Sequence, residues 1–148
     1  MPTYECTVVV GAGVAAGAPM CSLRSTTRSL RLKEMRIVGA DGTAGFPGLA
    51  VPTNTPVATG TAVVPAAKDP REIASTAKVD TAWTTAPTAP SGVPTPYNRQ
   101  EPFAGVIGNG VSWPFPDPEV IPIAGQLTVF NTASGAAGKT AITFVFDE

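Results

Sequence analysis

The sequence has no histidine and only two cysteines among its 148 residues. Without histidine the chain lacks the commonest general base, the usual serine–histidine–aspartate triad and most zinc sites. The two cysteines, Cys6 and Cys21, make no disulfide framework, and no histidine is present to activate either thiol. The net charge is small too. At −1 it provides no overall field to attract nucleic acid or an acidic membrane surface. We therefore predict a protein that is not an enzyme and binds neither nucleic acid nor membranes.

A long apolar run and a basic leader are also missing. The apolar stretch at residues 8–20 is too short and too rich in glycine to span a bilayer. No Lys or Arg precedes it, and Glu5 lies where a signal peptide would carry positive charge. We expect a protein that is made and kept in a cytosol with both thiols reduced, and a Cys6–Cys21 disulfide is the less favoured alternative.

Glycine and proline are abundant, with 15 and 16 residues that together make about a fifth of the chain. Each proline removes a backbone donor and clashes with the preceding turn, so this density is incompatible with many helices. The apolar content of 43% is nevertheless high enough for a packed core. We predict one all-β domain over residues 1–148.

The stretch TVVVGAGVAAG, residues 7–17, fits the G-x-G-x-x-G/A fingerprint of a dinucleotide-binding turn. That turn needs a helix directly after the glycines, and Gly17 and Pro19 interrupt the place where the helix would begin. Glu34 lies at the distance expected of a ribose ligand, but no second βα unit follows it. We interpret residues 4–10 as a β-strand that ends in a Gly/Ala-rich loop, and we predict no cofactor.

The clearest strand pattern is LRLKEMRIV, residues 30–38. Apolar and charged residues alternate at first, as in a strand with one exposed face. Met35 and Ile37 then fall on the opposite parity, so either a β-bulge lies near Glu34 or both faces are covered beyond that point. Without a bulge Glu34 would lie on the apolar face, where a buried carboxylate needs a partner such as Arg36 or an arginine from another subunit.

The other strand patterns are short β-branched or aromatic runs separated by Gly, Pro and Asn. They cover residues 49–51, 61–64, 103–107, 111–115, 126–131 and 139–146. In the last of them Ile142, Phe144 and Phe146 point to one face, and Asp147 and Glu148 follow as a charged terminus. About eight short strands at this spacing predict an all-β fold, a jelly-roll-like antiparallel β-sandwich with long Pro/Gly-rich loops.

Two segments have no clear strand pattern. Residues 69–74 could form one helical turn, with Asp69 as its cap and Pro70 in its first position, or an excursion leading to a short strand that ends at Trp83. Residues 84–98 contain four prolines and are predicted to be extended, polyproline-like chain. Such a segment is either a surface strap or an arm that reaches a neighbouring subunit.

Few residues could carry chemistry. Asp117 and Glu119 could pair for glycoside hydrolysis, but they lie in a proline-rich turn and we interpret them as part of a solvated loop. Trp83, Trp113 and Tyr97 could stack on sugar rings, although bulky aromatics more commonly fill a core or a subunit interface. A local concentration of basic residues is interpreted as the solvated face of a strand. The functional alternatives are contact with an acidic partner surface or with packaged nucleic acid, and five charges without interleaved aromatics disfavour nucleic acid. It comprises Arg24, Arg28, Arg31, Lys33 and Arg36.

Four short motifs follow one another within residues 22–148. They are a KEM strand at residues 33–35, a DTAW segment at 80–83, a WPF strand at 113–115 and an IPIAGQL turn at 121–127. In this order they resemble a group of small structural proteins of tailed bacteriophages, particularly phages of actinobacteria. The resemblance implies a jelly-roll β-sandwich, similar in style to the capsid decoration proteins that sit as trimers on the shell. It does not extend to the Gly/Ala-rich loop at residues 11–18.

The resemblance thus implies a non-enzymatic virion protein, namely a decoration or cement protein that stabilises the head by binding at capsomer joints. Its implied partners are the major capsid protein and further copies of itself in a trimer, first in the host cytoplasm and then on the capsid exterior. A tail tip, fibre or collar component that binds a receptor or a glycan is the alternative. The residues expected in contacts between subunits are Tyr4, Arg31, Lys33, Glu34, Trp83, Pro87, Pro90, Pro94 and Tyr97.

Overall fold

The chain folds into two antiparallel β-sheets that pack face to face. A computed structural model describes residues 1–53, 62–90 and 97–148, and within these residues it has strands but no helix, so that none is present to cross a membrane. The strands are β1 Thr3–Val10, β2 Pro19–Arg24, β3 Leu30–Gly39, β4 Pro47–Leu49, β5 Ala62–Val63, β6 Ala66–Ala67, β7 Lys78–Asp80, β8 Arg99–Gln100, β9 Gly110–Ile121, β10 Gln126–Asn131 and β11 Thr140–Asp147.

Eight of these strands pair in a nested order. The first sheet has the order β6-β1-β11-β3-β9 and the second has the order β5-β7-β2-β10-β4-β8. Consequently β1 pairs with β11, β2 with β10, β3 with β9 and β4 with β8, each pair antiparallel. Two four-stranded sheets joined in this way are a jelly roll. The prediction of an all-β, jelly-roll-like sandwich is confirmed, and β5, β6 and β7 extend the sheets on one side.

The core lies between the sheets and is built from alternate residues of each strand. In β11 the predicted inner face, Ile142, Phe144 and Phe146, is fully buried. Strand β10 differs because all six of its residues are buried. Phe130, in this strand, packs against Tyr97, whose ring centroid lies 6.2 Å away. A segment outside the sandwich therefore covers part of β10.

A β-bulge accounts for the change of parity in β3. Against β11, the register passes from Glu34–Val145 directly to Leu32–Phe146, so Lys33 is an extra residue of β3. Opposite β9 the register also shifts, from Glu34–Pro114 to Leu32–Glu119, so four residues of β9 stand against one of β3. The bulge keeps Met35 buried in the core after the parity changes. Of the two alternatives for this strand the bulge is confirmed, and Glu34 lies on the partly exposed outer face.

Several predicted elements have different bounds. Residues 69–74 form a turn without a helix, so the excursion is confirmed, and its strand β7 ends three residues before Trp83. The predicted strand at 103–107 is wrong, since only Phe103 forms an isolated bridge, to Gly45, before a turn begins. Strand β9 runs on to Ile121, well past the predicted residue 115. Thr61 and residues 91–96, which include Pro94, lie outside the described residues.

Candidate interaction surfaces

Four loops meet at one end of the sandwich, which we name the loop end. They are residues 11–18, 40–46, 101–109 and 132–139. Backbone hydrogen bonds join them in pairs: Gly13 N–H donates to Ala137 O at 2.8 Å, and Phe103 N–H donates to Gly45 O at 2.9 Å. Ala40 N–H donates to Lys139 O at 2.8 Å and links the two pairs. The loop end is thus a cross-linked surface drawn from four distant parts of the chain.

The carboxylate of Asp41 reinforces this arrangement. It accepts hydrogen bonds from the backbone N–H of Lys139 and, at 2.9 Å, from the N–H of Thr43. These bonds lower the pKa of the Asp41 carboxyl, with the bond from Lys139 contributing most. Asp41 therefore stays ionised at neutral pH and holds loop 40–46 against loop 132–139.

The loop end is nearly uncharged and carries two large exposed apolar side chains. Its only charged residues are Asp41, Glu101 and Lys139, and Glu101 accepts a hydrogen bond of 3.1 Å from Nε1 of Trp113. Val106 and Ile107 project from a turn rich in glycine, and Ile107 is 72% exposed. An apolar pair amid small residues, with few charges to desolvate, suits contact with another protein surface.

The Gly/Ala loop at residues 11–18 belongs to this surface and does not form a dinucleotide-binding turn. It connects β1 to β2, which lie in different sheets, and Gly13 and Gly17 adopt positive φ of 95° and 73°. Strand β2 begins at Pro19, where a dinucleotide-binding fold would have a helix. The interpretation as a strand followed by a loop is confirmed.

The strap at residues 84–98 contacts the chain's own second sheet where it is described. Tyr97 is half-buried against Phe130 and Gly48, and burial raises its pKa. Pro87 and Pro90 are partly exposed and belong to no strand. Near the start of the segment, Trp83 is partly buried and its Nε1–H donates to Ser22 Oγ at 3.4 Å. This packing agrees with a surface strap, rather than with an arm that reaches a neighbouring subunit.

The charged residues of β3 lie on the outer face of the first sheet, as the solvated-face interpretation expects. The interpretation is wrong for Arg24, which lies in β2 and is largely buried against Asp80. Arg31 is exposed, and Lys33 Nζ lies 3.3 Å from Asp147 Oδ1. Arg36 Nε lies 2.8 Å from Glu34 Oε1, and both side chains are partly exposed on this face. The buried carboxylate considered for a strand without a bulge is therefore not formed. Exposed pairs such as these contribute little to stability and remain accessible to a partner.

Tyr4 requires a correction. It was expected among the subunit contacts, yet its side chain is fully buried inside the chain's own sandwich. The ring stacks on Phe146 at a centroid distance of 5.7 Å, and the hydroxyl donates to Ile73 O at 2.8 Å. Desolvation, more than the nearby Glu148 carboxylate, raises the pKa of Tyr4. The alternation of β1 turns this residue inward, so its role is in the core.

The residues considered for chemistry are dispersed. The predicted loop at Asp117 and Glu119 is wrong, because both residues belong to strand β9. Asp117 is exposed, and Glu119 accepts a hydrogen bond of 2.9 Å from Asn98 Nδ2. Trp113 is buried in the core, as predicted. Within the described residues no three His, Cys, Asp or Glu side chains come together as metal ligands. An open depression of about 280 Å³ lies beside Arg36 and is lined by Val38 and residues 108–112.

Cys6 and Cys21 are free thiols in the core. Burial raises the pKa of both, and Cys21 has no exposed surface. Because the thiolate is the reactive form, neither residue is suited to nucleophilic chemistry in the folded protein.

Glu148, which the sequence marks only as part of a charged terminus, is buried beside the turn before β7. Its carboxylate accepts hydrogen bonds from Ser75 Oγ at 2.6 Å, from the Thr76 N–H at 3.0 Å and from the Thr76 hydroxyl. Desolvation alone would raise the pKa of this carboxyl, but the hydrogen bonds outweigh it and the pKa is lowered. No local pattern in the sequence predicts that Glu148 is buried and hydrogen-bonded, because its partners lie more than 70 residues away.

We expect Glu148→Gln to lower the free energy of unfolding at pH 7 by about 1.5–3 kcal/mol, since bonds to the ionised carboxylate are lost. A carboxyl with a lowered folded-state pKa stabilises the protein above its unfolded pKa, near 4.5, and this stabilisation is lost as pH falls through the folded-state value. Urea unfolding between pH 7 and pH 3 should therefore show a smaller acid-induced loss in the variant. The exposed Glu72→Gln serves as control and should retain the wild-type profile; an equal profile for Glu148→Gln would contradict the role given to this carboxylate.

No family model matches the chain, and neither a curated protein nor a solved structure does. The nested strand pairs nonetheless define its class as an all-β jelly-roll protein.

Proposed function

We propose that this chain is a non-enzymatic structural protein of a bacteriophage virion, most specifically a capsid decoration or cement protein. Its partners are the major capsid protein and further copies of itself, and it acts at capsomer joints on the capsid exterior after assembly in the host cytoplasm. The observation that carries the proposal is the loop end, where Val106 and Ile107 stand exposed on a cross-linked surface with few charges. The jelly-roll topology and the resemblance of the four motifs to tailed-phage structural proteins support it.

The loop end suits attachment to a large, repetitive shell. Complete burial of a valine or isoleucine contributes about 1.5–3 kcal/mol, so two such side chains supply a useful part of a moderate affinity. Because the loops are already held together by hydrogen bonds, little conformational entropy is lost when they dock. Repeated over many joints, each modest contact would resist the internal pressure of packaged DNA.

Binding to heads stripped of this protein tests the proposal. Ile107→Asp is expected to weaken binding at least about tenfold, since it would place an unpaired charge in the contact. Ile123→Asp is the matched control, because Ile123 is 61% exposed and lies past the other end of β9. Equal binding by both variants would show that the loop end is not the surface that binds the head. If the native chain does not bind stripped heads, the proposal of a decoration protein is refuted.

Copy number separates decoration from a role in the tail. Quantitative mass spectrometry of purified particles should find hundreds of copies of a decoration protein, but only a few to tens of a tail tip, fibre or collar component. The depression beside Arg36, with Asn109 and Ser112 in its lining, is where a glycan would be sought in the second case. A low copy number would replace the decoration proposal with this alternative.

A further inference from the structure

The two edges of the first sheet differ in their capacity to pair with another strand. Strand β9 forms one edge, and prolines stand at alternate positions 114, 116 and 118 of its sequence. Proline has no N–H donor, and together with the bulge opposite β3 it prevents regular pairing along this edge. The β9 edge is therefore protected against strand addition.

Strand β1, near the other edge, lacks such protection. The short β6 pairs with it only at Tyr4 and Glu5, and among the described residues no strand or bridge continues along residues 7–10. Lys68 N–H donates to Thr3 O at 3.0 Å, which shows that this carbonyl points to the β6 side. Backbone groups alternate along an antiparallel strand, so the N–H and C=O groups of Thr7 and Val9 also face that side.

Exposed valines flank this edge. Val9 is 56% exposed on the outer face of the sheet. Residues 62–67 run from the edge of the second sheet, at β5, to β6 beside β1, and they carry the exposed Val63 and Val64. Glu5 of β1 and Lys68, which follows β6, neutralise one another at 3.1 Å. Backbone donors and acceptors thus lie beside exposed apolar side chains.

We propose that a second copy of this chain pairs its β1 with this edge, antiparallel and about a two-fold axis at Val9. Because β6 already lies beside Glu5, the added strand must pair with the part of β1 that follows Glu5. A two-fold axis at Val9 places Gly11 of one copy opposite Thr7 of the other. Thr7, Val9 and Gly11 of the two copies would then exchange up to about six backbone hydrogen bonds. Gly11 has open space around its Cα, so the approaching strand meets no side chain there.

The structure of the first sheet favours the β1 strand of a second copy as the strand that pairs with the β1 edge. A copy of the chain offers two long edges of its first sheet, and the prolines exclude β9, which leaves β1. A strand whose free donors and acceptors alternate in this way complements itself when reversed, as a two-fold contact between identical subunits requires. The result is a dimer with one continuous sheet, which differs from the trimer implied by the resemblance and does not depend on the proposed role in the virion.

The mass of the purified full chain in solution tests the pairing. The native protein is expected at twice the 15.0 kDa of one chain, while Val9→Lys is expected at 15.0 kDa because the axis would set two lysines face to face. Val9→Glu should be monomeric for the same reason, and an equimolar mixture of the two variants should recover the dimer. Val120→Lys is the control, since Val120 is 52% exposed on β9 and should leave the dimer intact.

A native monomer at all concentrations, or a trimer whose mass Val9→Lys leaves unchanged, would overturn the proposal. Hydrogen exchange of the native chain gives a second measurement that needs no variant. The amides of Thr7 and Val9 should exchange more slowly at high protein concentration than at low, and exchange independent of concentration would also overturn it.

Discussion

Replacing Asp80 by asparagine is expected to lower the free energy of unfolding by about 3–5 kcal/mol. Asp80 is only 1% exposed, and its Oδ2 lies 2.9 Å from Nε of Arg24, which is itself largely buried. A second, longer bond joins Arg24 Nη2 to Oδ1 at 3.4 Å. The variant would leave the guanidinium charge in the protein without its counter-charge, and the contact between β2 and β7 would lose its polar link.

Urea or thermal unfolding measures this effect, and the expected decrease in Tm is about 10 °C for a chain of this size. Asp69→Asn is the matched control, because Asp69 also binds an arginine, with Oδ2 2.7 Å from Nη2 of Arg71. The Arg71 side chain is 88% exposed, so solvent screens this pair and it should contribute much less to stability than the Arg24–Asp80 pair. An equal decrease in the free energy of unfolding in the two variants would show that burial does not strengthen the contribution of the Arg24–Asp80 pair to stability.

Tyr4→Ala should destabilise the protein by about 3–5 kcal/mol, because it leaves a cavity in the core next to Phe146. Tyr4→Phe retains the ring and loses only the hydrogen bond to Ile73 O, so a loss of about 1 kcal/mol is expected. Since Ile73 is exposed, water can satisfy the freed carbonyl.

Chemical denaturation of Tyr4→Ala and Tyr4→Phe separates the two contributions. The assembly should tolerate Tyr4→Phe, because this side chain has no exposed surface through which to contact another subunit. If Tyr4→Ala has native stability but a changed oligomer mass, Tyr4 contacts another subunit, as expected from the sequence, and is not a core residue.

The elements predicted best from the sequence are those whose side chains alternate between the core and a less buried face. Strand β11 shows this pattern and was located within a residue, and β10 was predicted with its observed bounds although both of its faces are covered. The parity change after Leu32 correctly indicated a bulge or double coverage. Choosing between them required the register against β11, which depends on residues about 110 positions away.

Local patterns failed where packing between distant segments decides the structure. Val106 and Ile107 are β-branched and predicted a strand, but hydrogen bonds between residue 39 and residues 108 and 109 hold them in a turn. Tyr4 was assigned to an interface because nothing in its neighbourhood shows which face of β1 meets Phe146.

The loop end could not be predicted as a surface, since it is assembled from four loops in different parts of the chain. One signal was available in the sequence: all four loops are rich in glycine and alanine and contain three charged residues in total. Small, uncharged loops of this kind indicate a shared environment, but only the nested strand pairing shows that they lie at the same end.

The nested pairing also dictates an order of assembly for the polypeptide itself. Strands β4 and β8 form the innermost pair, and each later pair encloses a longer loop until β1 meets β11, where Thr3 bonds to Asp147 across 144 positions. Closing longer loops costs more entropy, so the strand pairs of the two sheets are expected to form from the middle of the chain outward and slowly. Until β11 arrives between β1 and β3, a nascent chain would hold the apolar β1 unpaired, and chaperone protection during synthesis would matter most in that interval.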